Sequence, residues 1–286
     1  MDLLALFVIH QLILSNCLVV QGLAIEDVPY LAWVATQKEH KEHFGHGKVC
    51  AGTVISERVI LSAAQCYYIS TSHPARYMDA KFYIAVTGEN HFGSLDRLTH
   101  EFPILQIVGH SDFNEQTMDN DVAVLFINGY IPRVWRNVKP VPLAESPPEI
   151  GEKCFLSGWA DSGDIHQAEL SIMDLETCRD TFPGIGNSQM CTAYKEVRGI
   201  CLVDAGNPLV CSEKLTGILS MEHYCFHTAG TFTNISNHID WIRKANSTFD
   251  YSLDIETLYL SSAIRKYQPL ALFSALLILK ICRLVS

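Results

Sequence analysis

The chain has 286 residues, 48% of them hydrophobic and 18% charged, which suits a folded body of about two ordinary domains and excludes a disordered chain. Its formal charge of −10 makes nucleic acid and anionic membrane surfaces poor partners. The first 22 residues, MDLLALFVIHQLILSNCLVVQG, are an apolar run ending in Val20-Gln21-Gly22. They read as a cleaved secretory leader, residues 1–22, with Ala24 as a second cutting point. Asp2 and the lack of Lys or Arg depart from that pattern and leave an uncleaved signal-anchor as the alternative. Of ten cysteines, Cys17 lies in the leader and Cys282 in an apolar C-terminal tail. The eight between them form an even set, as expected in an oxidising compartment. Two glycosylation sequons, at Asn234 and Asn246, agree with a secreted, extracellular protein.

From about residue 30 to 235 the chain reads as strand-length apolar runs separated by Gly, Asn, Asp and Pro. GTVIS, RVILSAA, KFYIAVTG, ILQIVG, DVAVLFING, CFLSGWA, NPLVC and LTGILSM are such runs, and no long 3.6-residue period interrupts them. The pattern predicts an all-β sandwich or pair of barrels. Val122, Val124 and Phe126 alternate with the equally apolar Ala123, Leu125 and Ile127, as in a strand covered on both faces at a seam. Residues 138–151 hold four prolines and read as a linker crossing between two similar halves. After it, Ser236 is the expected cap of a short helix that turns Ile239 and Ile242 inward. The stretch Lys38–Gly47 carries His40, His43 and His46, residues that ligate zinc elsewhere, but its charged, glycine-flanked composition reads as a solvated hairpin loop and no metal is assigned.

Three segments, in order, carry a resemblance. They are Cys50-Ala-Gly-Thr-Val-Ile-Ser through Leu61-Ser-Ala-Ala-Gln65-Cys66, then Asp119-Asn-Asp121-Val-Ala-Val-Leu, then Cys201-Leu-Val-Asp204-Ala205-Gly206-Asn207-Pro208-Leu-Val-Cys211. Over roughly residues 23–246 the chain resembles the chymotrypsin/trypsin-like serine proteases. The resemblance implies two six-stranded antiparallel β-barrels with a short C-terminal helix. It divides the chain into a leader, a trypsin-like domain at 23–248 and a C-terminal extension at 249–286. It also implies four disulfides: Cys50–Cys66, Cys154–Cys211, Cys178–Cys191 and Cys201–Cys225.

The family's mechanism needs a serine nucleophile, a histidine base and an aspartate that orients the histidine. Matched to this chain, those positions are Ala205, Gln65 and Asp121, so only the aspartate survives. An amide is no base near neutral pH, and a methyl is no nucleophile. Val203 replaces a glycine of the oxyanion hole, Asn207 a second glycine, and Gly199 leaves the specificity pocket uncharged. Ser220-Met221-Glu222 stands where the family has Ser-Trp-Gly. The family's activation terminus has its nearest match in Val19-Val-Gln-Gly22, inside the leader and with no basic residue before it. Lys48 is then the expected partner of Asp204, in place of that terminal amine. His110 is read as structural.

The resemblance therefore implies an inactive homologue needing no cofactor. Non-catalytic members of the family, common in insects, serve as cofactors, decoys or adaptors in extracellular protease cascades of immune or reproductive fluids. The expected partners are other extracellular proteins, among them active serine proteases or their inhibitors. Two alternatives stand beside this. The tail from Ser261, through a polar spacer to the apolar run Leu270–Leu279, resembles a lipid-anchor signal and would make a membrane-tethered surface protein. An enzyme with a relocated catalytic group is the other.

Overall fold

A computed structural model describes residues 23–70, 74–194, 204–222 and 229–251. Its strands in chain order are β1 (Leu31–Thr36), β2 (Lys48–Val54), β3 (Val59–Ser62), β4 (Tyr68–Ser70), β5 (Arg76–Tyr77), β6 (Tyr83–Thr87), β7 (His100–Gly109) and β8 (Ala123–Ile127). They continue with β9 (Lys153–Trp159), β10 (Ile165–Ile172), β11 (Gln189–Tyr194), β12 (Pro208–Cys211), β13 (Lys214–Glu222) and β14 (Ala229–Asn234). Among the described residues three α-helices accompany them: α1 (Gln37–Glu42), α2 (Leu175–Thr181) and α3 (Ile239–Thr248).

The strands close two barrels, β1-β2-β3-β8-β7-β6 and β10-β11-β14-β13-β12-β9, with β4 and β5 as a small separate hairpin. All barrel neighbours pair antiparallel. Closure leaves no edge of either barrel open to a stray partner. The expected all-β architecture of two six-stranded barrels and a C-terminal helix is the one observed.

β8 explains how the halves join. Ala123, Leu125 and Ile127 point into the first barrel beside Val34, Ile60 and Ala85. Val122, just ahead of the strand, with Val124 and Phe126, packs the other way against Val210, Leu215, Ile218 and Ile242. Apolar residues on both alternating faces thus produce a strand that belongs to one barrel and floors the seam with the second. The proline-rich linker is seated rather than loose. Val138, Val141 and Ala144 are buried, Val141 N donates to Val54 O, and Ala144 N to Leu215 O, touching both barrels.

Two local expectations are corrected. Residues 37–42 form α1 instead of a hairpin loop: the Thr36 hydroxyl meets the Glu39 carboxylate at 2.8 Å, and His40 is buried edge-on to Trp33. The C-terminal helix begins earlier than Ser236, with a 3-10 turn at Ile235–His238 running into α3. Its cap is Asn234, whose side-chain Oδ1 accepts from both the Ser236 amide and hydroxyl.

Candidate functional site

At the end of β3 a 3-10 turn, Ala64–Tyr67, presents Gln65, and the Cys50–Cys66 disulfide ties that turn to β2. Asp121 enters from the segment ahead of β8, after two non-glycine residues with left-handed backbone, Met118 and Asn120. Ser220 comes from β13 in the second barrel. Asp121 is fully buried and meets three donors. The Gln65 backbone N–H lies 2.8 Å from Oδ1, the Gln65 side-chain amide 2.7 Å from Oδ2, and the Ser220 hydroxyl 2.5 Å from Oδ2. The Gln65 amide nitrogen also donates to the Ser220 carbonyl at 2.6 Å, so both its hydrogens are committed. Burial pushes the Asp121 carboxyl up to about 6, with the donated hydrogen bonds of Ser220 and Gln65 opposing the rise. It can accept and hold, and around neutral pH it is ionised.

Ala205 brings only a methyl to this junction. Its carbonyl accepts from Ala51 N at 2.9 Å, and its side chain rests against the first barrel's core. Gly206 has φ +92°, and a Cβ there would stand 2.1 Å from the Ala51 carbonyl, so the turn after Ala205 demands glycine. Next comes Asn207, fully buried, whose amide oxygen and nitrogen have no hydrogen-bond partner among the described residues. It lies over the bare backbone of Gly158, where a Cβ would come within 2.7 Å of the amide. Asp204, just before Ala205, meets Lys48 Nζ at 2.5 Å, with side chains 25% and 19% exposed. The Lys48 ammonium also sits 4.5 Å from the centre of the Phe92 ring.

Met221, next to Ser220, borders a cavity of about 400 Å³ whose other walls include Phe182, Ile185 and Gln189. The cavity is walled mainly by second-barrel residues, and Gln65, Asp121 and Ala205 are not part of its lining. Residues 199, 201, 203 and 225, and the side chain of Glu222, lie outside what is described, so the pocket floor, the oxyanion position and the Cys201–Cys225 pairing do too. The leader and the tail beyond Tyr251 also lie outside it.

Three of the expected disulfides are present: Cys50–Cys66, Cys154–Cys211 and Cys178–Cys191. The two sequons differ sharply. Asn246 is exposed on α3, whereas Asn234 is 7% exposed and engaged as a cap, a geometry that argues against a glycan there. The three histidines of the 37–47 stretch do not converge. His40 is buried 3.3 Å from Glu101, while His43 and His46 stack on each other. No group of three or more metal-ligating side chains is found among the described residues. His110 packs against His238 and Trp241 on α3 and the turn before it, and burial lowers its pKa. Sequence reasoning named Ser220 only as part of a wall. Its hydroxyl bond to Asp121, and that of Thr233 to the Asp121 carbonyl at 2.8 Å, join residues 99 and 112 positions apart, with no local signal to reveal them.

Two closed antiparallel barrels with this junction between them define the serine-protease architecture of the chymotrypsin type. The sequence pattern of the Trypsin family matches residues 23–242, and the chain belongs to that family. It is 30% identical to human trypsin-3 over 207 residues, covering 68% of this chain and 64% of that protein. It is 31% identical over 222 residues to mouse transmembrane protease serine 7, covering 71% of this chain and 26% of that protein. The chain therefore spans less than two thirds of the length of these relatives. Among solved structures, mouse neuropsin, a serine protease expressed in the limbic system, superposes with a TM-score of 0.65 at 24% identity. That likeness covers 79% of this chain and 97% of neuropsin. Among the described residues no helix is long and apolar enough to cross a membrane.

Proposed function

We propose that this chain is a non-catalytic member of the trypsin family that works by binding other extracellular proteins, as a cofactor, decoy or regulator of active serine proteases or their inhibitors. The observation that carries the reading is Ala205 at the nucleophile position, opposite a Gln65 whose amide hydrogens are both spent on Asp121 and Ser220. Losing the nucleophile or the base of such a triad lowers turnover by about a million-fold.

A relocated nucleophile finds no support among the described residues of the junction. Ser220 is the serine next to the carboxylate, but it is 3% exposed and its hydroxyl donates to Asp121. The groove beside Met221 and the disulfide-held scaffold offer a surface on which a protein segment could lie uncut. Extracellular placement rests on the leader and the paired cysteines.

A fluorophosphonate probe for active serines should leave the purified protein unlabelled, and Ala205→Ser combined with Gln65→His should still give no measurable peptidase. Labelling of the wild type, or turnover by the double variant, overturns the reading. Pull-down from the native fluid, followed by mass spectrometry, should recover proteases or protease inhibitors.

A further inference from the structure

A cavity of about 700 Å³ opens beneath the turn between β2 and β3, on a face that the triad-equivalent residues do not reach. Ile55, Ile131 and Val138 supply apolar lining, with Pro132 and Pro140 as further walls. Its charged residues are Arg58, Arg133 and Lys139 against the single acid Glu57, which is paired with Arg133. On a chain of net charge −10, and with Arg58 already engaged by Tyr251, Lys139 and Arg133 still leave a basic rim around an apolar floor.

The last described residue, Tyr251, is itself part of that lining. Its ring packs on Phe126 and Phe249 and lies 4.8 Å from the Arg58 guanidinium. Its hydroxyl donates to Asn246 on α3, and its carbonyl accepts from Arg58 at 3.5 Å. The backbone is therefore delivered to the cavity mouth. The chain continues Ser252-Leu253-Asp254-Ile255-Glu256-Thr257-Leu258-Tyr259-Leu260, alternating apolar and acidic over its first residues, with no basic residue until Arg265. Extended backbone turns alternate side chains to opposite sides, so Leu253 and Ile255 can face an apolar floor while Asp254 and Glu256 meet a basic rim. Two residues of extended chain, roughly 7 Å, bring Leu253 within reach of the cavity.

We infer that residues 252–256 of this same chain are the occupant of the cavity. Leu253 and Ile255 fill the floor between Ile55, Ile131 and Val138, and Asp254 and Glu256 face Lys139 and Arg133 at the rim. Tethering makes the docking intramolecular, so modest contacts suffice because the segment is never dilute. The apolar stretch 270–279 would then leave the body from a fixed point beside α3 instead of from a free arm.

The test is made on the full chain with a benzophenone amino acid in place of Ile255. Irradiation should give a crosslink within one molecule, mapping by mass spectrometry to residues 55–58 or 131–140. Lys139→Glu with Arg133→Glu should lower its yield about fivefold, the scale expected for reversing two largely exposed ion pairs. Adding Asp254→Lys and Glu256→Lys should restore it. Crosslinks between two copies, crosslinks to another face, or a yield indifferent to the charge reversal and unrestored by the swap overturn the assignment. The serine probe and the pull-down address a different face, so either proposal can fail without the other.

Discussion

Gln65 and Asn207 both stand at the rim of the junction where the family's pattern has other residues, and the fold treats them oppositely. The Gln65 amide finds an acceptor for each hydrogen, one in each barrel. The Asn207 amide, fully buried where Gln65 is only partly so, finds none among the described residues. A buried polar group costs little when paired and roughly 1–3 kcal/mol when left unpaired. Gln65 thus closes a satisfied network across the two barrels, whereas the described residues around Asn207 offer its amide no partner.

The largest effect is expected at Asp121. Asp121→Ala removes the acceptor from the Gln65 backbone, the Gln65 side chain and the Ser220 hydroxyl together. It should lower stability by about 3–5 kcal/mol, read as a fall in denaturation midpoint, and a loss below 1 kcal/mol would mean the network is ornamental. Proton linkage gives the next effect. The folded carboxyl is raised to about 6, above its unfolded value of about 4, so the folded state binds this proton more tightly. The stability it contributes is present below about pH 4 and is lost as pH rises through about 6. Wild type should therefore lose roughly 2–3 kcal/mol relative to Asp121→Asn across that window and nothing further above pH 7. Thermal melts at several pH values read this directly, and a difference of the opposite sign would mean the carboxyl is held ionised by its donors.

On the unpaired side, Asn207→Ala should raise stability by about 1–2 kcal/mol, because it removes a buried amide without needing space beside Gly158. Destabilisation by that change would show that the amide has a partner in the loop ahead of Asp204. The smallest effect belongs to Lys48→Met, about 1 kcal/mol for a half-buried pair, accompanied by faster proteolysis near Asp204. Unchanged stability and unchanged resistance would mean the pair holds nothing in place.

Legibility in the sequence depends on where the interactions are local. β8 was plain because six successive residues, from Val122 to Ile127, are apolar and a strand covered on both faces needs that. β10 and β14 were not singled out, because His166, Gln167, Thr231 and Thr233 break the apolar pattern while their backbones complete the barrel. α1 was missed since six charged and polar residues carry little helical period, and the burial of His40 against Trp33 is a tertiary contact. At the junction, motif order suggested that Gln65 and Asp121 stand together, and their 2.7 Å hydrogen bond is what the structure adds. The Ser220 bond was not suggested, because it depends on a strand of the other barrel returning to β8. Capping chemistry failed by two residues for a similar reason: Ser236 has the right hydroxyl, but Asn234 sits where β14 ends and the turn begins.

The bond from the Gln65 amide to the Ser220 carbonyl joins the first barrel to the second through groups that carry no titratable proton. An imidazole at position 65 would change charge near neutral pH and alter its grip with the acidity of the surrounding fluid. The amide makes that link a fixed cross-brace instead. Whatever lies along the cleft between the barrels therefore meets walls joined at this point by a bond with no proton of its own to lose, and the junction's response to pH is left to Asp121, which holds the same amide.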